Sequence, residues 1–178
     1  MEQIHQFINW LDIFSWQTVH YIIVGGIAVV STSLFNSSRE LTNLKKKLTS
    51  HALEIAETYG IKLDYSDESI KQVEKILGEI HKGYKKIKPN DRKELEEELD
   101  GIAQAFGAYI ISVIERNYEA GKWKKDHPEM GKNTFPYYWK GLTFFPNAWC
   151  YKRIVTGKAD DVWAKYYIIV INHLKETK

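Results

Sequence analysis

Twenty-six consecutive residues, Ile13 to Ser38, carry no acidic or basic side chain, and the densest part runs Val19-His-Tyr-Ile-Ile-Val-Gly-Gly-Ile-Ala-Val-Val-Ser-Thr-Ser-Leu-Phe35. A helix that rises about 1.5 Å per residue needs roughly 20 residues to cross a hydrocarbon core of about 30 Å. The run is long enough, and it predicts a transmembrane helix over about residues 16–36. Trp10, Trp16 and Tyr21 stand towards its beginning, where amphipathic rings settle at headgroup level. Only Glu2 and Asp12 precede it, whereas Arg39, Lys45, Lys46 and Lys47 follow. The positive-inside rule then predicts a single-pass protein of the cell membrane, in contact with the bilayer, its N-terminus outside and its C-terminal domain cytoplasmic. A cleaved signal peptide would place its basic residues before the apolar run. A core helix of a soluble domain is the stronger rival, because Gln17, Thr18 and His20 dilute the apolar character. Gly25, Ala28 and Thr32 share one helical face and allow a weak homodimer contact through the membrane helix.

The length of 178 residues suits one domain and an appendage. From Thr49 onward 21 basic residues are balanced by 20 acidic ones, so the one-sided charge that nucleic-acid binding requires is missing. Cys150 is the only cysteine, which excludes an intrachain disulfide and suits a reducing compartment. The expected organisation is a membrane anchor over 1–38, a helical stalk and first domain helix over 39–60, and a small cytoplasmic α+β domain over 61–178.

Leu41, Leu44, Leu48, Ala52, Ile55 and Tyr59 form one stripe of a 3.6-period helix that Gly60 is placed to end. Ser66 suits the cap of a second helix whose buried stripe is Ile70, Val73, Leu77 and Ile80, ended by the lysine-rich stretch from Lys82 to Pro89. A third helix is expected from about Asp91, with Leu95, Leu99, Ile102, Phe106, Ile110 and Val113 on one side and Gly121 at its close. Between Trp123 and Val155, aromatic and β-branched runs cut by Gly131, Pro136, Gly141 and Pro146 predict a small antiparallel sheet. Asp160 suits the cap of a C-terminal helix over Val162 to Leu174; the run Tyr166 to Ile171 has strand propensity, but the Trp163, Tyr166, Val170, Leu174 spacing favours helix. The fold class is α+β: a mainly helical domain, a small antiparallel sheet near residues 123–155, and a C-terminal helix.

Three sequence stretches carry a resemblance: Leu63-Asp-Tyr-Ser-Asp-Glu-Ser-Ile70, Phe106-Gly-Ala-Tyr-Ile-Ile-Ser-Val113 with Gly121-Lys-Trp123, and Tyr151-Lys-Arg-Ile-Val-Thr-Gly157 with Asp160-Asp-Val-Trp163. Over residues 50–170 the chain resembles an uncharacterised family of small bacterial domains. That family more often carries Gly-Glu where this chain has Ile111-Ser112. Some members resemble bacterial conflict or immunity-type proteins, which implies an inhibitor or immunity-type role and no particular activity.

The chemistry-bearing residues are scattered along the chain. Asp126-His127-Pro-Glu129 is the only tight group of metal-capable side chains, and Pro128 breaks the helical spacing that would align them, so no metal and no cofactor is expected. His51 and His81 sit on helices among polar neighbours and suit surface positions. Cys150 falls inside an expected strand, which would bury it as a small core residue rather than expose a nucleophile. The acidic run Glu94 to Glu98 suits a solvated helix start. The aromatic cluster Phe135 to Tyr151 suits core packing, with a fraction left over for a contact face, since Tyr and Trp are enriched where proteins bind partners. Trp123, Tyr137, Tyr138, Trp139 and Trp149 are the candidate partner-binding residues, and a protein-interaction domain with a protein partner is the leading reading. The alternative is a small hydrolase-like or ligand-binding enzyme in which Glu115, Asp126 or His127 serves as acid or base beside Trp123; no catalytic residue is assigned.

Overall fold

A long helix, α3 (Glu96–Asn117), organises the computed structural model, which describes residues 38–176. The expected membrane helix, with Gly25, Ala28, Thr32 and the flanking Trp10, Trp16 and Tyr21, lies outside the described residues. Among the described residues no helix is long and apolar enough to cross a membrane. The described fold is mostly helical with a three-stranded antiparallel sheet, as an α+β reading requires.

Glu96, Glu97 and Glu98 in the first turn of α3 and Arg116 in the last complement the helix dipole. Every residue from Ala105 to Ile111 is buried, so the middle of α3 is covered on all sides. Each Ile or Phe it buries contributes about 1.5–3 kcal/mol. A 3-10 turn (Pro89–Leu95) comes first, so the α-helix starts later than Asp91, and it ends at Asn117 rather than at Gly121. Proline suits the opening of that turn because it has no N–H to leave unpaired.

Helix α1 (Ser38–Thr58) lies antiparallel along α3: Lys45 pairs with Glu115, and Thr49 Oγ1 lies 3.0 Å from Ser112 Oγ. The expected stripe is the docked side, though Leu41, Leu44 and Leu48 are only half-buried while Ala52 and Ala56 are fully enclosed. Arg39, Glu40, Thr42 and Asn43 are exposed, so the beginning of α1 projects past the end of α3. Gly60 ends the helix at φ +67°.

Helix α2 (Ser69–Lys86) buries Ile70, Val73, Ile76, Leu77 and Ile80. Ser66 Oγ accepts from the Ser69 N–H at 3.2 Å and caps the turn that leads into it.

The sheet is shorter than expected. It comprises β1 (Lys122–Trp123), β2 (Tyr137–Trp139) and β3 (Leu142–Phe144) in that order, and residues 146–156 are not part of it. They form helix α4 (Pro146–Thr156), in which Trp149, Cys150, Arg153 and Ile154 are buried at helical spacing. Pro146 stands where a helix tolerates proline best, and Gly157, at φ +92°, stops the helix. Cys150 is therefore a buried helical residue, not a strand residue.

The C-terminal segment is helical, as its spacing suggested: α5 (Val162–Tyr166), a π-helical stretch (Tyr167–Asn172) and a last turn α6 (His173–Glu176). Asp161, not Asp160, caps it, its Oδ1 accepting from the Ala164 N–H at 2.8 Å. The β-branched run that suggested a strand lies in the π-helical stretch, where Val170 is buried.

Candidate functional site

Sheet register divides the aromatic cluster into two faces. Trp123, Tyr137 and Phe144 pair across the strands in one row, and Lys122, Tyr138 and Thr143 pair in the next. Because side chains alternate along a strand, the first row points to the core and the second to solvent. Tyr137 is fully enclosed and Phe144 nearly so, whereas Tyr138 is half-buried and Lys122 and Thr143 are exposed.

Of the five candidate partner residues, Tyr137, Trp139 and Trp149 are buried. Tyr137 accepts the Gly121 N–H on its hydroxyl at 2.8 Å, and burial pushes the phenol well above its ordinary pKa. Trp139 Nε1–H donates to the Glu119 carbonyl at 2.7 Å, and Trp149 stacks on Phe144 with ring centroids 5.2 Å apart. Trp123 is half-buried and stacks on Phe135. Only Tyr138 belongs to the solvent row.

An open groove of about 430 Å³ runs between the 119–122 segment and residues 138–143, bordered by Glu119, Lys122, Tyr138, Lys140, Leu142 and Thr143. Two backbone features shape it. A Cβ on Gly121 would lie 2.5 Å from the Tyr138 carbonyl oxygen, so only glycine permits that approach. Lys140 and Gly141 both have positive φ, at 46° and 79°, the two-residue hairpin geometry that matches the twist of the strands. Lys140 Nζ bonds Glu119 Oε2 at 3.0 Å, while Lys124 Nζ sits 5.1 Å from the centroid of the Tyr138 ring. The His127 ring lies nearly parallel to Tyr138 at 6.3 Å.

The residues considered for acid-base chemistry do not converge. Glu115 is held by Lys45 against α1. Asp126 Oδ1 accepts the Asn133 N–H at 2.8 Å, and His127 Nδ1 accepts the N–H groups of Glu129 and Met130 at 3.2 Å, so both fix the loop that follows β1. No group of three or more His, Cys, Asp or Glu side chains among the described residues is gathered closely enough to hold a metal ion. His51 and His81 are half-buried rather than fully exposed. His81 Nδ1 contacts the Ile154 carbonyl at 2.7 Å, and burial lowers the pKa of His51. Burial pushes the Cys150 thiol far up, away from thiolate reactivity. Glu94, Glu96 and Glu97 lie on a solvated face, as expected.

Two polar clusters escaped the sequence reading. Asp67 accepts the hydroxyls of Tyr118 and Tyr166 and an N–H of Asn117, joining the start of α2, the end of α3 and the C-terminal helix. Burial, then the Asp67 carboxylate itself, raises both phenol pKa values. Within the same loop Tyr65 holds φ +63°, costly for a bulky residue; its N–H donates to Tyr109 Oη at 2.9 Å, and Arg116 lies 3.3 Å above its ring. The second cluster is the buried pair Glu74–Arg153, with Arg153 Nε 2.6 Å from Glu74 Oε1 and the Val162 N–H donating to Glu74 Oε2 at 2.9 Å. In both clusters the carboxylate is saturated by internal donors, which suits a joint between helices rather than a reactive group. No protein-family model, no curated protein and no solved structure matches this chain.

Proposed function

We propose that this chain is a protein-interaction domain, tethered at the cytoplasmic face of the cell membrane by its N-terminal apolar segment, and that the solvent face of its sheet is the partner surface. The observation that carries the proposal is the groove: an open concavity on a two-residue hairpin, bordered by a half-buried tyrosine, two lysines and Leu142. Interface centres favour such amphipathic aromatics, which supply contact area at small entropic cost. The acid and base candidates of the enzyme alternative are instead committed to separate local contacts. An inhibitor or immunity-type role fits a domain that acts by occupying another protein. The tether rests on the uncharged run Ile13–Ser38 and the basic residues after it. Of these, Lys45 is taken up by Glu115, leaving Arg39, Lys46 and Lys47 exposed towards an anionic leaflet.

A photo-crosslinking residue placed at Thr143 in the full chain, in cells, tests the proposal against the same probe placed at Glu97, an exposed residue in the first turn of α3. A discrete product from Thr143 only is expected. Equal or no products at both positions would overturn the assignment of the face. A reporter active only in the cytoplasm, fused to Lys178, gives signal if the proposed topology is right and none if it is reversed.

A further inference from the structure

The charge on the solvent face of the sheet narrows the class of partner. Lys122 and Lys124 precede and follow Trp123 in the chain, so they project to the same side of the sheet as Tyr138. The backbone continues the ladder there, with the Lys124 N–H donating to the Pro136 carbonyl at 3.0 Å. Lys140 stands at the turn beside them, engaged with Glu119, the only acidic residue that borders the groove. Lys122 and Lys124 form no ion pair among the described residues, and Lys124 Nζ instead sits over the Tyr138 ring. The groove is thus bordered by Lys122 and Lys140 and by one acidic residue, Glu119, which Lys140 already pairs, and Lys124 adds a third ammonium beside Tyr138. Elsewhere on the described surface lysines recur beside carboxylates, as in Lys71–Glu68, Lys82–Glu79 and Lys165–Asp160.

We infer that the sheet face binds an acidic protein segment, its carboxylates meeting Lys122 and Lys124 and an apolar or aromatic side chain lying against Tyr138 in the groove. This rests on the protein-interaction reading and adds the chemistry of the partner. Charge complementarity at such a rim speeds association and rejects wrong partners, and the ring supplies the contact area that charge alone lacks. The groove is too open to bury a small molecule, whereas an extended peptide can run along it between the 119–122 segment and the hairpin turn. Nucleic acid fits less well, since a single half-buried ring with three nearby lysines is a short footprint for a phosphate backbone.

The test uses the full chain in nanodiscs of zwitterionic lipid and a fluorescent Glu-rich peptide containing one Phe, with its Gln-for-Glu counterpart as control. The Glu peptide is expected to bind about tenfold or more tightly than the Gln peptide, and added salt is expected to erase the difference. Lys122→Glu with Lys124→Glu should remove the preference, and Lys122→Gln with Lys124→Gln should reduce it, while circular dichroism stays unchanged because both side chains are exposed. Equal affinity for the two peptides would overturn the inference, as would a preference that survives charge reversal. Displacement of the Glu peptide by a single-stranded oligonucleotide or by phosphatidylserine vesicles, at lower concentrations than by unlabelled Glu peptide, would overturn it as well. If crosslinking at Thr143 captures a partner while the Glu peptide shows no preference, the acidic class is wrong and the interaction reading stands.

Discussion

Replacing Glu74 by Leu should be among the most damaging single changes in the protein. Glu74 and Arg153 are 8% and 6% exposed, and Arg153 Nη1 has no hydrogen-bond partner of its own, so the guanidinium depends on the Glu74 carboxylate. Removing one member of a buried ion pair typically costs about 3–5 kcal/mol, because the other charge is left uncompensated. Glu74→Leu also orphans the Val162 N–H, a further loss of about 1 kcal/mol. Arg153→Met should fall near the bottom of the 3–5 range, because the carboxylate keeps Val162 and has Lys158 Nζ 3.5 Å away. The double variant should lie within about 2 kcal/mol of the native chain, since apolar groups of similar volume replace buried pairs at little cost. Coupling between the two sites should then exceed about 3 kcal/mol, far beyond the few tenths expected of independent positions. Gly78 offers a check inside the same cycle. A Cβ there would sit 2.7 Å from Arg153 Nη2, so Gly78→Ala should destabilise the native chain yet stabilise the Arg153→Met background by about 1 kcal/mol, the ordinary helical advantage of alanine. Urea unfolding of the full chain in mild detergent, followed by tryptophan fluorescence and circular dichroism, gives all the values. If Glu74→Leu costs less than about 1 kcal/mol, or the single costs simply add, the pair is not a mutually dependent buried unit.

Gly121→Ala should cost about 1–3 kcal/mol, because its methyl would press on the Tyr138 carbonyl, which belongs to a paired strand; an unchanged melting temperature would refute the close approach. Cys150 should resist thiol reagents in the native chain and react fully in urea, since its thiol is enclosed and its pKa raised by burial; rapid native labelling would show that α4 opens locally. His51 supplies a pH dependence: burial lowers its pKa below the ordinary 6.5 against a smaller opposing pull from Glu54, so the unfolded chain takes up the proton more readily than the folded one. Stability should therefore decline as pH falls below 6.5, a slope that His51→Gln removes; identical urea midpoints for the two chains from neutral to mildly acidic pH would contradict this.

Amphipathic spacing made the helices legible. The stripes of α1 and α2 are the docked sides, because one-sided burial leaves a 3.6-residue signature in the sequence. The sheet was legible only in part. Trp149 and Tyr151 look like strand residues by composition, yet Pro146 and Gly157 bound a helix that turns Trp149, Cys150, Arg153 and Ile154 onto one side. Propensity yielded there to tertiary packing. Which aromatics face solvent depends on register, and a single-residue slip would have exchanged Tyr137 for Tyr138, so composition alone placed Tyr137, Trp139 and Trp149 beside Tyr138 as candidates. The saturated carboxylates were invisible for another reason: Asp67 and Glu74 take their partners from elements 50 to 99 positions away.

Those long separations set a schedule for synthesis. Asp67 waits for the hydroxyl of Tyr166, 99 positions later, and Glu74 waits for the Val162 amide, 88 positions later. At about 5–20 residues per second, the nascent chain carries both carboxylates for roughly 5–20 seconds before their last partners are made. Until then water must solvate whichever of their oxygens still lack a partner. A ribosome stalled before Tyr166 would hold an unlocked intermediate, and the C-terminal helix would act as the bolt that closes the domain.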